Sequence, residues 1–451
     1  MRSLVFGTAG ALACVVMLGD PPARACGGCF SVPQTQNPTV VTDHRMILSV
    51  SVDQTTLYDQ IEYSGSPESF AWVLPIAGTA SVGLSADVVF DSLNTLTQTT
   101  IYAPPTNCPA PPQNCNSFGA GADASVALDA GVTILKQEVV GPYETVQLQS
   151  TDPQALDNWL TSHGYAIPGD IEPVIQAYVG EGLNFLAMKL VPGATVTSMR
   201  PVRVTTPGAS PVLPLRMVAA GTGANVGITL WVVAEGRYQP QNFPWFRIQD
   251  SELVWDWQLQ SSNYTTLRAQ KEQASNGTAW EIESSLPLDV PSFTSYVDNG
   301  GYSYPYYGYD AGSDYLPVDA PDGGDAGGET ASQVRDDDLA TLFEGMSPSN
   351  VRVTRIRADL SRTALAQDLT LAASSDQSVL TNLRYVKASV GSPVCPSYGY
   401  CGDNGGNPNG NNVSSSGGCA MSPSGDETGT LWTVMAGLAM AAYGLARRKK
   451  R

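Results

Sequence analysis

The chain has 451 residues, of which 42% are hydrophobic and only 15% charged, with 44 glycines and 32 prolines. That length permits two or three ordinary domains or one large one, and so many turn formers mark a loop-rich globular protein. The net charge of −18, to which both basic chain ends contribute least, repels phosphate backbones and anionic headgroups and excludes nucleic acid as a partner.

The N-terminus carries Arg2, an apolar stretch over residues 4–18 and the site Ala23-Arg24-Ala25, the three-part layout of a secretory signal peptide. The spacing predicts cleavage after Ala25. The apolar stretch is too short to span a bilayer. Acylation of Cys26 is the rival reading, opposed by Arg24 where a small residue is wanted. Cys26-Gly27-Gly28-Cys29 then opens the mature chain and runs into Pro33 and Pro38, so it lacks the strand and helix that frame a redox C-x-x-C. Zinc would need a second C-x-x-C or a His pair, and neither occurs, so no metal and no cofactor is expected.

Seven cysteines follow the signal peptide, six of them in close pairs: Cys26 with Cys29, Cys108 with Cys115, and Cys395 with Cys401. In an exported protein these are disulfide candidates. The last two pairs would close short loops, each stabilising by about 2–3 kcal/mol, while Cys26 has the alternative of pairing elsewhere. Cys419 is left over.

His44 is expected in a solvated loop between Asp43 and Arg45, ahead of the first strand. In that strand Leu48, Val50 and Val52 alternate with Ser49 and Ser51; in the next, Leu57, Ile61 and Tyr63 oppose Tyr58, Gln60 and Glu62. Ser64-Gly65 turns the chain into a third, residues 70–74, which Pro75 stops. Period-two alternation of this kind predicts antiparallel strands with one wet face. Ser85 is placed to cap a helix with Val89, Leu93 and Leu96 on one side. Thr151-Asp152-Pro153 opens another, with Leu156, Trp159 and Leu160 inward, Gly164 closing it and His163 in its last turn, where interaction with the helix dipole is the expected role. Residues 170–179 form a third through Ile171, Val174, Ile175 and Tyr178. Further strands are expected over 196–204, 213–219 and 228–233, the last apolar throughout and suited to a doubly covered position. Asp336, Asp337 and Asp338 are expected in the first turn of a helix burying Leu339, Leu342, Phe343 and Met346. Strands with scattered helices predict an α+β fold with a predominantly antiparallel sheet.

Two insertions, near 104–130 and 297–332, have too little aliphatic sequence to compact by themselves and read as disordered. In the second, Asp310, Asp314, Asp319, Asp322 and Asp325 lack the spacing of a calcium loop. Tyr302, Tyr304, Tyr306, Tyr307 and Tyr309 offer a contact surface for a polymer or protein.

The blocks ACGGCF at 25–30, FAWVLPI from Phe70, PVLPLRMVAA…GITLWVV from Pro211, NYTTLRAQ from Asn263 and LFEGMSPSNVRVTRIRADL from Leu342 together resemble the secreted bacterial family of domain of unknown function 2330. The resemblance runs over nearly all of 26–390. It implies export and this architecture, and supplies no activity. The chain departs from the family's pattern at Cys29, which follows Gly28 directly, without intervening aromatic residues.

Residues 391–427 hold the last close cysteine pair and a Gly/Asn/Ser-rich tether. Residues 428–446 are uncharged, a helix of roughly 28 Å if helical, which nearly matches a hydrocarbon core. Five basic residues follow, as the positive-inside rule requires of a segment that stays on the cytoplasmic side. Gly418-Cys419, the spacer, the apolar run and the basic end together resemble the MYXO-CTERM sorting signal. That resemblance implies cleavage near Cys419 and its lipid modification for cell-surface display; uncleaved, the run is a transmembrane anchor. The expected partners are the membrane and the export and sorting machinery, with the surface ligand open.

No catalytic constellation assembles: only His44 and His163 occur, there is no G-x-S-x-G, and no mature cysteine has a histidine near it in sequence. The chain therefore divides into a signal peptide (1–25), an exported α+β module (26–390), a tether (391–427) and a sorting tail (428–451). The reading is a non-catalytic binding, adhesion or envelope-structural module at the cell surface. The alternative is an extracytoplasmic hydrolase working through carboxylates such as Asp43, Glu62 or Asp256.

Overall fold

From Val226 to Ala234 the chain carries apolar residues on both alternating faces, broken only by Gly227 and Thr229, and such a strand is stable only when covered on both sides. It lies accordingly inside an eight-stranded sheet. The computed structural model describes residues 29–31, 40–64, 70–106, 138–140, 143–148, 154–162, 167, 169, 171–190, 200–220, 224–301 and 330–395. The sheet runs in the order β14 (Trp245–Phe246), β17 (Trp280–Pro287), β18 (Val351–Ser361), β12 (Asn225–Glu235), β2 (Val40–Val50), β3 (Gln54–Ser64), β10 (Val202–Pro207) and β5 (Ser81–Leu84). Its pairs are antiparallel except β12 with β2 and β14 with β17.

A second, wholly antiparallel sheet has the order β1 (Cys29–Ser31), β4 (Phe70–Ile76), β9 (Asn184–Leu190), β8 (Tyr143–Leu148) and β7 (Glu138–Val140). Three small sheets complete the strands: β11 (Val212–Leu213), β19 (Leu369–Ala373) and β13 (Tyr238–Pro240); β16 (Ser261–Ser262), β15 (Val254–Asp256) and β21 (Ala388–Val390); and β20 (Leu383–Tyr385) with β6 (Thr100–Tyr102). Among the described residues seven short helices accompany them: α1 (Asp87–Thr97), α2 (Gln154–Ser162), α3 (Glu172–Gly180), α4 (Leu215–Val218), α5 (Tyr264–Ala274), α6 (Val290–Asp298) and α7 (Ala331–Phe343). The fold is mixed α+β and mostly sheet. These elements fall in one unit, residues 1–104 and 124–391; of the other, 105–123 and 392–451, only 105–106 and 392–395 are described.

Packing follows the pleat. One face of the large sheet, with Met46, Leu48, Leu230 and Val232, meets Trp72, Leu74, Leu186 and Met188 of the five-stranded sheet. Its other face, with Ile47, Tyr58, Trp231 and Val233, is covered by Phe90 and Leu93 of α1, Phe293 of α6 and Leu342 of α7. The outer face of the five-stranded sheet carries α2 and α3 through Leu156, Leu160, Ile175 and Tyr178. The layers therefore run helix, sheet, sheet, helix. Trp231 anchors the first interface: its ring lies edge-on to Phe90 at 6.3 Å, its Nε1 donates to Thr97 Oγ1 at 2.8 Å, and the guanidinium of Arg355 sits 5.2 Å over it.

Several sequence expectations are corrected by this arrangement. The first strands do not keep a wet face: Ser49 is buried beneath α7 and donates to the Leu342 carbonyl at 2.7 Å, and Tyr58 is fully covered. Val52 is the exposed residue, because it belongs to the turn between β2 and β3. His44 lies inside β2 and is fully buried, so the solvated-loop reading fails. Pro75 does not stop its strand: β4 continues through it to Ile76, pairing with β9, and among the described residues β1 covers β4 only as far as Trp72. Residues 213–219 are not a strand, since Pro214 breaks the extended run and α4 follows. The strand expected over 196–204 begins at Val202, and 191–199 lie outside the described residues.

Two helix starts also move. Ser85 makes no cap for α1; its hydroxyl donates to Asp338 Oδ2 at 2.8 Å instead. The aspartates 336–338 sit in the body of α7, not its first turn, because Thr330 and Gln333 form a capping box that starts the helix earlier. Leu339, Leu342 and Met346 are buried as expected, with Phe343 half-covered. Helices α2 and α3 appear where their periodicity places them. Val297 and Ser332, expected in an insertion, belong to α6 and α7; residues 107–137 and 302–329 lie outside the described residues. Among the described residues no helix is long and apolar enough to cross a membrane, and 428–446 are not among them.

Candidate functional site

The facing of β2 and β3 brings a histidine and an aspartate together between the two sheets. Met46 pairs with Asp59 and His44 with Ile61, so His44 and Asp59 are diagonal neighbours on the same face. His44 Nδ1 lies 3.2 Å from Asp59 Oδ1, and the two residues are 0% and 2% exposed. They line a pocket of about 20 Å³ with Met46, Leu57, Trp72, Leu74, Met217 and Val218. A pocket of that size holds about one water molecule. His44 Nε2 and Asp59 Oδ2 have no hydrogen-bond partner among the described residues. A carboxylate at Nδ1 that leaves Nε2 facing a pocket is half of the arrangement used in acyl transfer, but no serine, threonine, cysteine or lysine lines this pocket to act as nucleophile.

A second cluster lies where α5 crosses β17. A bulge between Ile282 and Ser284 interrupts the pairing with β18 beside Glu283, which strand alternation places on the side of Glu281. Tyr264 donates its hydroxyl to Glu281 Oε1 at 2.9 Å and reaches Glu283 Oε1 at 3.5 Å. Arg355 pairs through Nε with Glu283, and Arg384 donates to the Glu283 carbonyl at 2.6 Å. Burial, reinforced by Glu283, pushes Glu281 up to about 7. Burial, with the nearby Glu283 and Glu281 charges, also raises the Tyr264 phenol. On the same helix Glu272 is raised to about 7 by burial and by Asp359, against Arg268 at 3.4 Å. A carboxyl that changes charge near neutrality suits acid–base work, yet Glu281 is 0% exposed and no reactant reaches it in this conformation.

The third cluster is a junction. Asp338, wholly buried in α7, accepts from Ser85 Oγ, from the Ala86 amide at 2.7 Å and from Arg203 Nη1 at 2.9 Å, while its carbonyl accepts from Tyr58. Burial raises its carboxyl to about 7 in spite of Arg203. These bonds tie the start of α1, β3, β10 and α7 together. Arg216 does similar work beside α3: it bridges Asp368 and Glu181 and lies 4.1 Å over the Tyr178 ring.

The carboxylates singled out from sequence are placed differently. Asp43 and Glu62 occupy paired positions on β2 and β3, and the Asp43 carboxylate lies so close to Gly227 that a Cβ there would sit 3.0 Å from it. The side chain of Glu62 is outside the described residues. Asp256 belongs to a different sheet, where its Oδ1 accepts from the amides of Gln258 and Leu259 at 2.7 and 3.1 Å. Cys29 is at the start of β1, opposite Trp72. Cys395 is the one disulfide candidate with a described side chain; Ala25, Cys26, Cys108, Cys115, His163, Cys401 and Cys419 lie outside the described residues, as do the tyrosine and aspartate runs of 302–329. Among the described residues no three of His, Cys, Asp and Glu gather as a metal set. The dyad and both acidic clusters went unnoticed in the sequence, although Asp59, between Leu57 and Ile61 on one face of an alternating strand, carries a readable signal.

No curated protein and no solved structure matches the chain. A family model described as an uncharacterized protein conserved in bacteria (DUF2330) matches residues 22–304, and so stops short of the similar block from Leu342. With well over half of its length matched, the chain belongs to the DUF2330 family of uncharacterized bacterial proteins.

Proposed function

We propose that this is an exported protein, displayed at the cell surface through its C-terminus, where it serves as a non-catalytic binding, adhesion or envelope-structural module. The observation that carries the reading is the tail: an uncharged run over 428–446, five basic residues after it and a Gly-Cys pair before it. Signal-peptide removal after Ala25, a module over 26–390, a tether over 391–427 and processing at Cys419 form one export route. Cys108–Cys115 and Cys395–Cys401 disulfides suit the oxidising compartment it leads to. The module's own chemistry supports a scaffold over a hydrolase, because its buried charged groups are largely engaged with one another and its His–Asp pocket has room for one water. Deleting 428–451 tests the anchor: the truncated protein should appear in the medium, and retention of all of it at the envelope would reject anchoring by the tail.

A further inference from the structure

We propose that the His44–Asp59 pocket is a binding site for a small hydrogen-donating cation of ammonium size. The argument begins with the tautomer. An ionised carboxylate can only accept, so in a neutral imidazole the 3.2 Å contact to Asp59 Oδ1 puts the proton on Nδ1 and leaves Nε2 as a lone pair. Asp59 Oδ2 is a second acceptor, and both atoms are buried without a hydrogen-bond partner among the described residues. The pocket therefore presents two acceptors, no donor and one carboxylate charge that a neutral His44 does not balance.

The walls supply nothing to correct this. Met46, Leu57, Trp72, Leu74, Met217 and Val218 are uncharged, and among the described residues Asp59 is the only titratable group lining the pocket besides His44. Arg216, the charged residue of α4, is committed to Asp368 and Glu181. Arg45, next to His44 in the chain, points to the opposite face of β2, where it bonds Gln60 and Asp91. A guest must then bring at least two hydrogens and gains by bringing a positive charge. It must also fit a space of about 20 Å³. Ammonium meets all three requirements, and Trp72, Met46 and Met217 line the pocket with polarisable side chains. Water meets the first and the last only. This inference does not depend on the surface-anchoring reading.

The test compares thermal midpoints of the purified full chain at equal ionic strength in ammonium, sodium and tetramethylammonium chlorides, the last cation being too large to enter. At about pH 8 ammonium chloride should raise the midpoint by about 3 °C over both controls. Asp59→Asn and His44→Phe should abolish the ammonium effect. Should either variant fail to fold, ¹⁵N-ammonium titrated into the unaltered protein should still show a bound signal with slowed proton exchange. Equal midpoints in the three salts at about pH 8, with no bound ammonium signal, would overturn the proposal and leave the pocket to an ordered water.

Discussion

At the scale of single residues, the protein keeps several carboxyl groups where burial opposes their charge. Glu281 and Asp338 are both raised to about 7 from ordinary values of 4.5 and 3.8. The folded state therefore holds these protons more tightly than the unfolded chain does. Their contribution to stability is present in full below the ordinary carboxylate range and is lost as pH rises through about 7. Urea midpoints should accordingly be higher at about pH 5.5 than at about pH 8, and Glu281→Gln should flatten that difference. A midpoint that rises steadily between those two values would contradict the raised carboxyls of Glu281 and Asp338.

At the scale of elements, start signals and partners decide where helices begin and which strand faces are wet. The T-x-x-Q pattern at Thr330–Gln333 is a stronger start than three aspartates, because it satisfies amides at both ends of the first turn, the Thr330 N–H reaching Gln333 Oε1 at 2.7 Å. Thr330→Ala should cost about 1 kcal/mol in chemical denaturation, whereas an unchanged midpoint would mean that tertiary contacts of α7 alone set its start. Much of this level was legible. The apolar run of β12, the alternation in β2 and β3 and the proline-led α2 all appear where periodicity puts them. The inward faces were harder to read, since Glu281 and Glu283 look like solvent-side residues in an alternating strand and Asp59 interrupts an otherwise apolar face between Leu57 and Ile61. Only the arrival of α5, Arg355 and the five-stranded sheet, from distant parts of the chain, makes those positions interior.

At the scale of the whole molecule, the α+β class and membership of the DUF2330 family followed from blocks spread along the chain, while the four-layer arrangement did not. Which sheet face meets which helix depends on contacts such as Tyr58 to Asp338, which join residues 280 positions apart in sequence. The candidate pocket depends on the same long-range packing of two sheets. The tail is the opposite case, read from local composition alone. The sorting role we propose for it is tested most directly by the intact mass of the protein recovered from the cell envelope. The account predicts an N-terminus at Cys26 and a C-terminus near Cys419 that carries the mass of a lipid; an unmodified chain ending at Arg451 would contradict it.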